Sequence, residues 1–151
     1  MKYIAYGSNM SQKQMAYRCP NARLIGTGYL PNHRLEFYLH ATVERKREAS
    51  PGVPVAVWEI DAEDEKRLDR YEGFPTFYYK RELRVRSKGI RTGKRRTVDA
   101  FVYIMHEDRP VGVPSGHYMR TCFEGYDTFY FDRRLLREAY DKSVEVCGGE
   151  G

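Results

Sequence analysis

Two short stretches of this chain carry residue types whose spacing suits acid–base chemistry. The first is Leu68-Asp69-Arg70-Tyr71-Glu72-Gly73. Gly73 is placed as the C-terminal stop of a short helix that starts from an Asp61 N-cap, so Glu72 is its last residue. A carboxylate there meets the negative end of the helix macrodipole. Tyr71 and Phe74-Pro75 flank it and strip part of its water shell. Both effects disfavour the charged form and raise the pKa towards neutrality, which suits a general acid/base. The plainer alternative is a solvated glutamate at a helix end. The second stretch is Tyr6-Gly7-Ser8-Asn9-Met10. It follows an apolar run, Lys2 to Tyr6, that reads as a buried strand. A glycine at that junction lets backbone amides approach a ligand closely, and successive amides before a helix start form a concave donor site for a carboxylate or a developing oxyanion. The alternative is a tight turn and nothing more.

Other chemistries lack their residues. The four histidines, His33, His40, His106 and His117, show no metal-ligand spacing. There is no G-x-S-x-G elbow, no phosphate-binding G-x-x-x-x-G-K-[ST] and no dinucleotide G-x-G-x-x-G. Cys19, Cys122 and Cys147 are odd in number and widely spaced, so neither a zinc site nor a disulfide framework is indicated. Free thiols suit a reducing compartment. The N-terminal apolar run is too short for a signal peptide, and no run approaches the roughly 20 apolar residues of a membrane span. The expectation is a cytoplasmic protein with no metal, no cofactor and no membrane contact.

The elements that must position these residues follow from pattern. At 151 residues the chain suits one domain, expected over 1–147 with a frayed tail at 148–151. Ser11 with Gln14 is a capping-box pattern, so a helix starts at Ser11 and stops before Cys19-Pro20. Arg23 to Leu30 and His33 to Thr42 read as extended, and Val43 to Pro51 as a surface loop. Val53 to Ile60 is rich in β-branched residues and reads as a central strand. In the following helix, Leu68 and Tyr71 are spaced to share a buried face. Tyr78 to Val85 and Thr97 to His106 form a hairpin whose connection, Ser87 to Lys94, carries Gly89 and Gly93. Glu107 to Ser115 is a loop. His117 to Phe123 and Asp132 to Lys142 read as helices. Strands lead and helices end the chain, so the class is α+β. The 13 tyrosines suit half-buried strands and equally a polar-ligand pocket.

These stretches resemble, in order, the motifs of the γ-glutamylcyclotransferase family (AIG2-like, or γ-glutamylamine cyclotransferase-like). Tyr3 to Met10 is similar to its substrate-binding signature, and Leu68 to Gly73 to its L-D-x-x-E-G, whose glutamate is catalytic. Tyr79-Lys80-Arg81 resembles its Y-x-R strand start. Ala100 to Met105 resembles a later strand with an inward tyrosine, Tyr103. Pro114-Ser115-Gly116-His117-Tyr118 resembles the P-S-x-x-Y start of a helix. The resemblance implies a compact mixed β-barrel with flanking helices and a site at one mouth. It implies an enzyme that cyclises a γ-glutamyl amide or amino acid to 5-oxoproline, needing no cofactor and taking a small-molecule substrate, as a monomer or homodimer. Glu72 would be catalytic, and Tyr6, Gly7, Ser8, Asn9, Met10, Tyr79, Tyr103 and Tyr118 would bind substrate; Tyr103 and Tyr118 suit core packing equally well. Two departures stand out: Asp127-Thr128-Phe129-Tyr130-Phe131 replaces the family's G-L-P segment, and the first turn reads G-S-N where the glutathione-specific branch has G-S-L.

The net charge is +5, and Lys80 to Arg96 holds nine basic residues against the single acid Glu82. A nucleic-acid-binding module built on this stretch is the alternative function. The absence of interleaved aromatics after Tyr79 favours a solvated hairpin instead. A catalytically idle ligand-binding relative is the third reading, and the presence of Glu72 speaks against it.

Overall fold

The computed structural model describes residues 1–47, 51–108 and 112–149. Five strands close into a barrel: β1 (Lys2–Ala5), β2 (Arg23–Leu30), β5 (Val53–Glu59), β6 (Tyr78–Gly89) and β7 (Arg95–Met105), in the order β1-β5-β2-β6-β7. The β1–β7 pair is parallel and seals the barrel; the other pairings are antiparallel. Strands β3 (His33–Tyr38) and β4 (His40–Arg45) form a separate two-stranded sheet. Helices α1 (Gln12–Arg18), α2 (Ala62–Glu72), α3 (Gly116–Thr128) and α4 (Arg134–Gly149) flank them. This is the α+β barrel with flanking helices that the motifs implied. The core runs through Ile4, Val55, Val57, Val85 and Val102, all essentially inaccessible. The apolar run of β5 is buried along nearly its whole length because β1 and β2 both pair with it.

Local chemistry sets the helix ends. Ser11 Oγ accepts from the Gln14 amide, and Asp61 Oδ1 accepts from the Asp64 amide at 2.8 Å. Gly73 ends α2 in the left-handed conformation at φ 65°. Ser115 caps α3 by accepting from the Tyr118 amide at 3.1 Å.

Several expectations need correction. The extended run from His33 does not pass into a loop at Val43. It turns back at Leu39, and Val43 lies buried in β4. Leu39 takes φ 70° and donates its amide to the Gly112 carbonyl at 2.8 Å. Leucine is not a turn residue, so this reversal has no sequence signature; the tertiary bond holds it. Residues 48–50 of the expected loop, and 109–111 of the later one, lie outside the described residues. The hairpin strands extend to Gly89 and back from Arg95, because Gly26 of β2 pairs with Gly89 and supplies ladder partners to a polar stretch. Helices α3 and α4 overrun their expected ends; α4 takes in Gly148 and Gly149, while 150–151 lie outside the described residues. Leu68 is fully buried, but Tyr71 is two-fifths exposed and does not share its face.

Gly125 of α3 lies against the segment after β1. A Cβ there would stand 2.6 Å from Met10 Cβ and 3.0 Å from the Ser11 amide nitrogen. Overpacking of this kind costs about 1–3 kcal/mol, and a β-branched residue adds no helix propensity to offset it beyond a few tenths. Gly125→Val is therefore expected to lower stability by about 2 kcal/mol. Urea denaturation, with an unchanged slope, is the measurement that checks it.

Candidate active site

Tyr6 ends the strand run and Gly7 starts a one-turn 3-10 segment, Ser8–Met10. The turn's own bonds run from the Met10 amide to the Gly7 carbonyl and from the Ser11 amide to the Ser8 carbonyl, both at 3.1 Å. The amides of Gly7, Ser8 and Asn9 are not used by those bonds. A Cβ on Gly7 would sit 3.0 Å from both Ala41 Cβ and the Tyr118 hydroxyl, so only glycine permits this close approach. Asn9 is locked on three sides. Its Nδ2 donates to the Tyr3 hydroxyl at 3.0 Å, its carbonyl accepts from Trp58 Nε1 at 3.1 Å, and its Oδ1 accepts from Arg18 Nη1. The same Arg18 nitrogen donates to Ser8 Oγ at 3.2 Å, and the guanidinium stacks 3.3 Å from the Tyr71 ring centroid.

Tyrosines tie β4 to the barrel. The Ala41 carbonyl accepts from the Tyr78 hydroxyl at 2.8 Å, and the Ala41 amide donates to the Tyr118 hydroxyl at 3.0 Å. Tyr6 donates to the Tyr103 carbonyl at 2.6 Å. The Tyr103 hydroxyl donates to Asp69 Oδ1 at 2.6 Å, and Lys80 Nζ lies 2.8 Å from the same oxygen. Asp69 is on α2, one turn before Glu72, so this contact pins the helix end.

These elements enclose a cavity of about 410 Å³ at the end of the barrel where β1 and β7 finish and β6 begins. Of the residues singled out in the sequence, Tyr6, Gly7, Ser8, Asn9, Glu72, Tyr103 and Tyr118 line it. Met10 and Tyr79 do not. Met10 is fully buried beneath Gly125. Tyr79 is one position out of phase: alternation turns Tyr78 and its partner Met105 to the cavity, while the Tyr79 hydroxyl donates to Glu107 at 2.7 Å. Residues the sequence reading passed over are Tyr3, Tyr78 and His40, which line the cavity, and Arg18, which orders its turn. The Tyr78-Tyr79 doublet was a signal for one of them; nothing local marked Arg18.

The Glu72 carboxylate accepts no hydrogen bond among the described residues. Burial pushes its carboxyl up to about 7, and the Arg18 guanidinium opposes this by less. Desolvation is the largest cause of the shift, as the flanking Tyr71 and Phe74-Pro75 suggested in part. His40, on the opposite wall, has its pKa lowered by burial and by Arg18. The Tyr6 and Tyr118 hydroxyls are held protonated, first by burial and also by the Glu72 charge. Among the described residues no three His, Cys, Asp or Glu side chains group as a metal site. No described helix is long and apolar enough to cross a membrane.

The closed five-stranded barrel with flanking helices thus carries a half-buried glutamate beside a glycine turn. Residues 3–120 match the family model described as gamma-glutamyl cyclotransferase, AIG2-like, and the chain belongs to that family. Among solved structures it is similar to one described as a gamma-glutamyl cyclotransferase, with TM-score 0.75 at 19% identity over 91% of this chain and 85% of that one. A Homo sapiens protein solved as uncharacterized protein loc79017 gives TM-score 0.69 at 24% identity, over 84% and 78%. YkqA from Bacillus subtilis gives 0.66 at 19%, over 92% of this chain and 54% of that one. A comparison with curated protein sequences found no match.

The raised pKa of Glu72 has a consequence for folding. Unfolded, the carboxyl titrates near its ordinary value of 4.5; folded, near 7. Below both values it is neutral in each state and costs nothing. As pH rises between them the unfolded chain loses the proton first, so stability falls, and the full cost is present above 7. Glu72→Gln should leave stability unchanged at pH 4 and raise it at pH 8 by about 1–3 kcal/mol, the lower end reflecting access of water to the cavity. Denaturant unfolding of both proteins at the two pH values checks this.

Proposed function

We propose that this chain cyclises γ-glutamyl amides or γ-glutamyl amino acids, releasing 5-oxoproline and an amine or amino acid. The observation that carries the reading is the Glu72 carboxyl, desolvated, without a hydrogen-bond donor among the described residues and poised near neutrality, on the same cavity as Gly7 to Asn9, whose amides the turn's own bonds leave unused. A group titrating near working pH both accepts and returns a proton efficiently.

The chemistry follows from the substrate. Its α-nitrogen and γ-carbonyl carbon lie in one molecule and close a five-membered ring, so no enzyme nucleophile and no cofactor is needed. Holding the bent conformer supplies part of the rate. The Glu72 carboxylate takes a proton from the α-ammonium. The freed amine attacks the γ-carbonyl carbon, forming the ring C–N bond and placing negative charge on the oxygen. That oxygen, or the α-carboxylate, is met by amides of Gly7, Ser8 and Asn9. The C–N bond to the leaving group breaks as Glu72 passes its proton to the leaving nitrogen. In all, two protons leave the α-nitrogen and two reach the leaving nitrogen, so Glu72 ends as it began. Tyr78 and Tyr118 shape the wall that holds the glutamyl head, and Tyr103 acts through Asp69 by fixing the end of α2. Met10 and Tyr79 support the site from outside the cavity. The likeness in fold to the solved gamma-glutamyl cyclotransferase agrees with this reading.

Two outcomes test it. A panel of γ-glutamyl amides and peptides should yield 5-oxoproline by mass, and Glu72→Gln should fold normally yet lose about 10²- to 10⁴-fold in rate. Activity near wild type in that variant would sink the assignment. Because Glu72 acts first as a base, kcat/KM should rise with pH through an apparent pKa of about 7. A profile flat between pH 5 and 8 (a range of roughly three units around that value) would show that another group carries the proton.

A further inference from the structure

The other end of the barrel also holds a cavity, about 490 Å³ in volume, where β2 begins and the β6–β7 hairpin turns. From Tyr78 to Ser87 along β6 is nine residues, or roughly 30 Å at about 3.3 Å per residue. It is therefore separate from the Glu72 site. Four cationic side chains line it: Arg23, Arg91, Lys94 and Arg96. No carboxylate does. Among the described residues none of the four forms an ion pair. Acids on the neighbouring strand positions are engaged elsewhere: Glu59, in register with Arg23, holds the N-terminal ammonium at 3.1 Å and Lys2 at 3.8 Å, and Asp99, next to Val98 in β7, holds Arg84 at 2.9 Å.

The site is built, not a loose basic loop. The Ile90 amide donates to the Ile25 carbonyl at 3.1 Å, folding the hairpin tip onto β2, and the Gly93 amide donates to the Gly89 carbonyl at 3.0 Å. Ser87 and Arg96 are register partners on the face that carries Val85 and Val98. Ser87 is only 4% exposed and lines the cavity, with its hydroxyl packed against Gly26 of β2, where a Cβ would collide with Oγ. Ile90 and Val98 add apolar wall, and Ile90 is 47% exposed at the rim.

Uncompensated like charges around one concavity repel each other and are relieved by a bound anion. Arginine forks favour phosphate oxygens in bidentate geometry, and the volume lies in the range of small-molecule sites. We infer that this end of the barrel is a binding site for a small organic phosphate of nucleotide size, with Arg23, Arg91, Lys94 and Arg96 on the phosphates and Ile90 covering the organic part.

The test is titration calorimetry of the full chain with adenosine triphosphate and with inorganic pyrophosphate at physiological salt, with amide shifts by NMR to locate the site. The expected result is one saturable site with shifts confined to residues 23–26 and 87–98. Triphosphate should bind about tenfold tighter than pyrophosphate, and Arg96→Gln and Arg91→Gln should each weaken binding about tenfold. Both variants should keep wild-type cyclisation, since neither lies near Glu72. Absence of saturation by roughly 5 mM triphosphate would overturn the inference. So would equal weakening by Arg84→Gln, which marks diffuse charge, or equal affinity for pyrophosphate, which removes the organic part. Affinity for single-stranded RNA that rises with oligonucleotide length would also overturn it, in favour of an extended backbone interface.

Discussion

The Glu72 carboxyl stands at the last residue of α2, stripped of part of its water and given no donor in return among the described residues. That arrangement costs stability whenever the group is charged, and a single side chain left to itself would relax towards solvent. It stays because α2 is held at both ends. Asp61 caps its start, Gly73 turns the chain sharply out of its last turn, and Asp69 is clamped between Tyr103 and Lys80. The fully buried Leu68 fixes the rotation of the helix about its own axis. The position of one proton acceptor therefore depends on a cap, a stop, a clamp and a core contact acting on the same eleven residues.

Tyrosine is used as a structural bolt on the facing wall. The Ala41 peptide accepts from Tyr78 and donates to Tyr118, so the β3–β4 sheet is fastened to the barrel through groups that keep their rings in the core and their hydroxyls at the cavity. Tyr6 reaches across to the Tyr103 carbonyl and joins β1 to β7 where their parallel pairing ends. These hydroxyls are protonated at working pH by burial, which makes them donors and removes any competing negative charge from the neighbourhood of Glu72. Arg18 contributes a positive charge that reaches Glu72, but it is spread over the Tyr71 ring and shared with Ser8 and Asn9, so it tempers the Glu72 shift without forming an ion pair with it.

The barrel also keeps its charges apart. The titrating glutamate lies at one end of the barrel, and the cations of the β6–β7 tip, without ion pairs among the described residues, lie at the other. The long β6–β7 ribbon spans both ends, paired to β2 only near its tip. A tip tied to β2 through Gly26 and Ile25 is a wall of the second cavity, which a free hairpin would not be.

Much of this was legible in the linear sequence. The Ser11 and Asp61 caps, the Gly73 stop and the buried run of β5 all rest on interactions within a few residues, where local stereochemistry decides, whereas Glu72 and Gly7 to Asn9 were singled out mainly by the resemblance. The order of the motifs carried the family, and with it the barrel. What the tertiary structure alone decided involves partners distant in the chain. Leu39 reverses the chain because Gly112 accepts its amide, not because leucine favours a turn. Tyr78, and not its neighbour Tyr79, faces the cavity because the β6–β7 register sets the phase of the alternation, and a shift of one residue would exchange them. Arg18 joins the site only when α1 folds back over the turn that precedes it. The acidity of Glu72 divides between the two: its neighbours Tyr71 and Phe74-Pro75 already argued for lost water and a raised pKa, but the extent of its burial is a property of the cavity that only the assembled fold encloses.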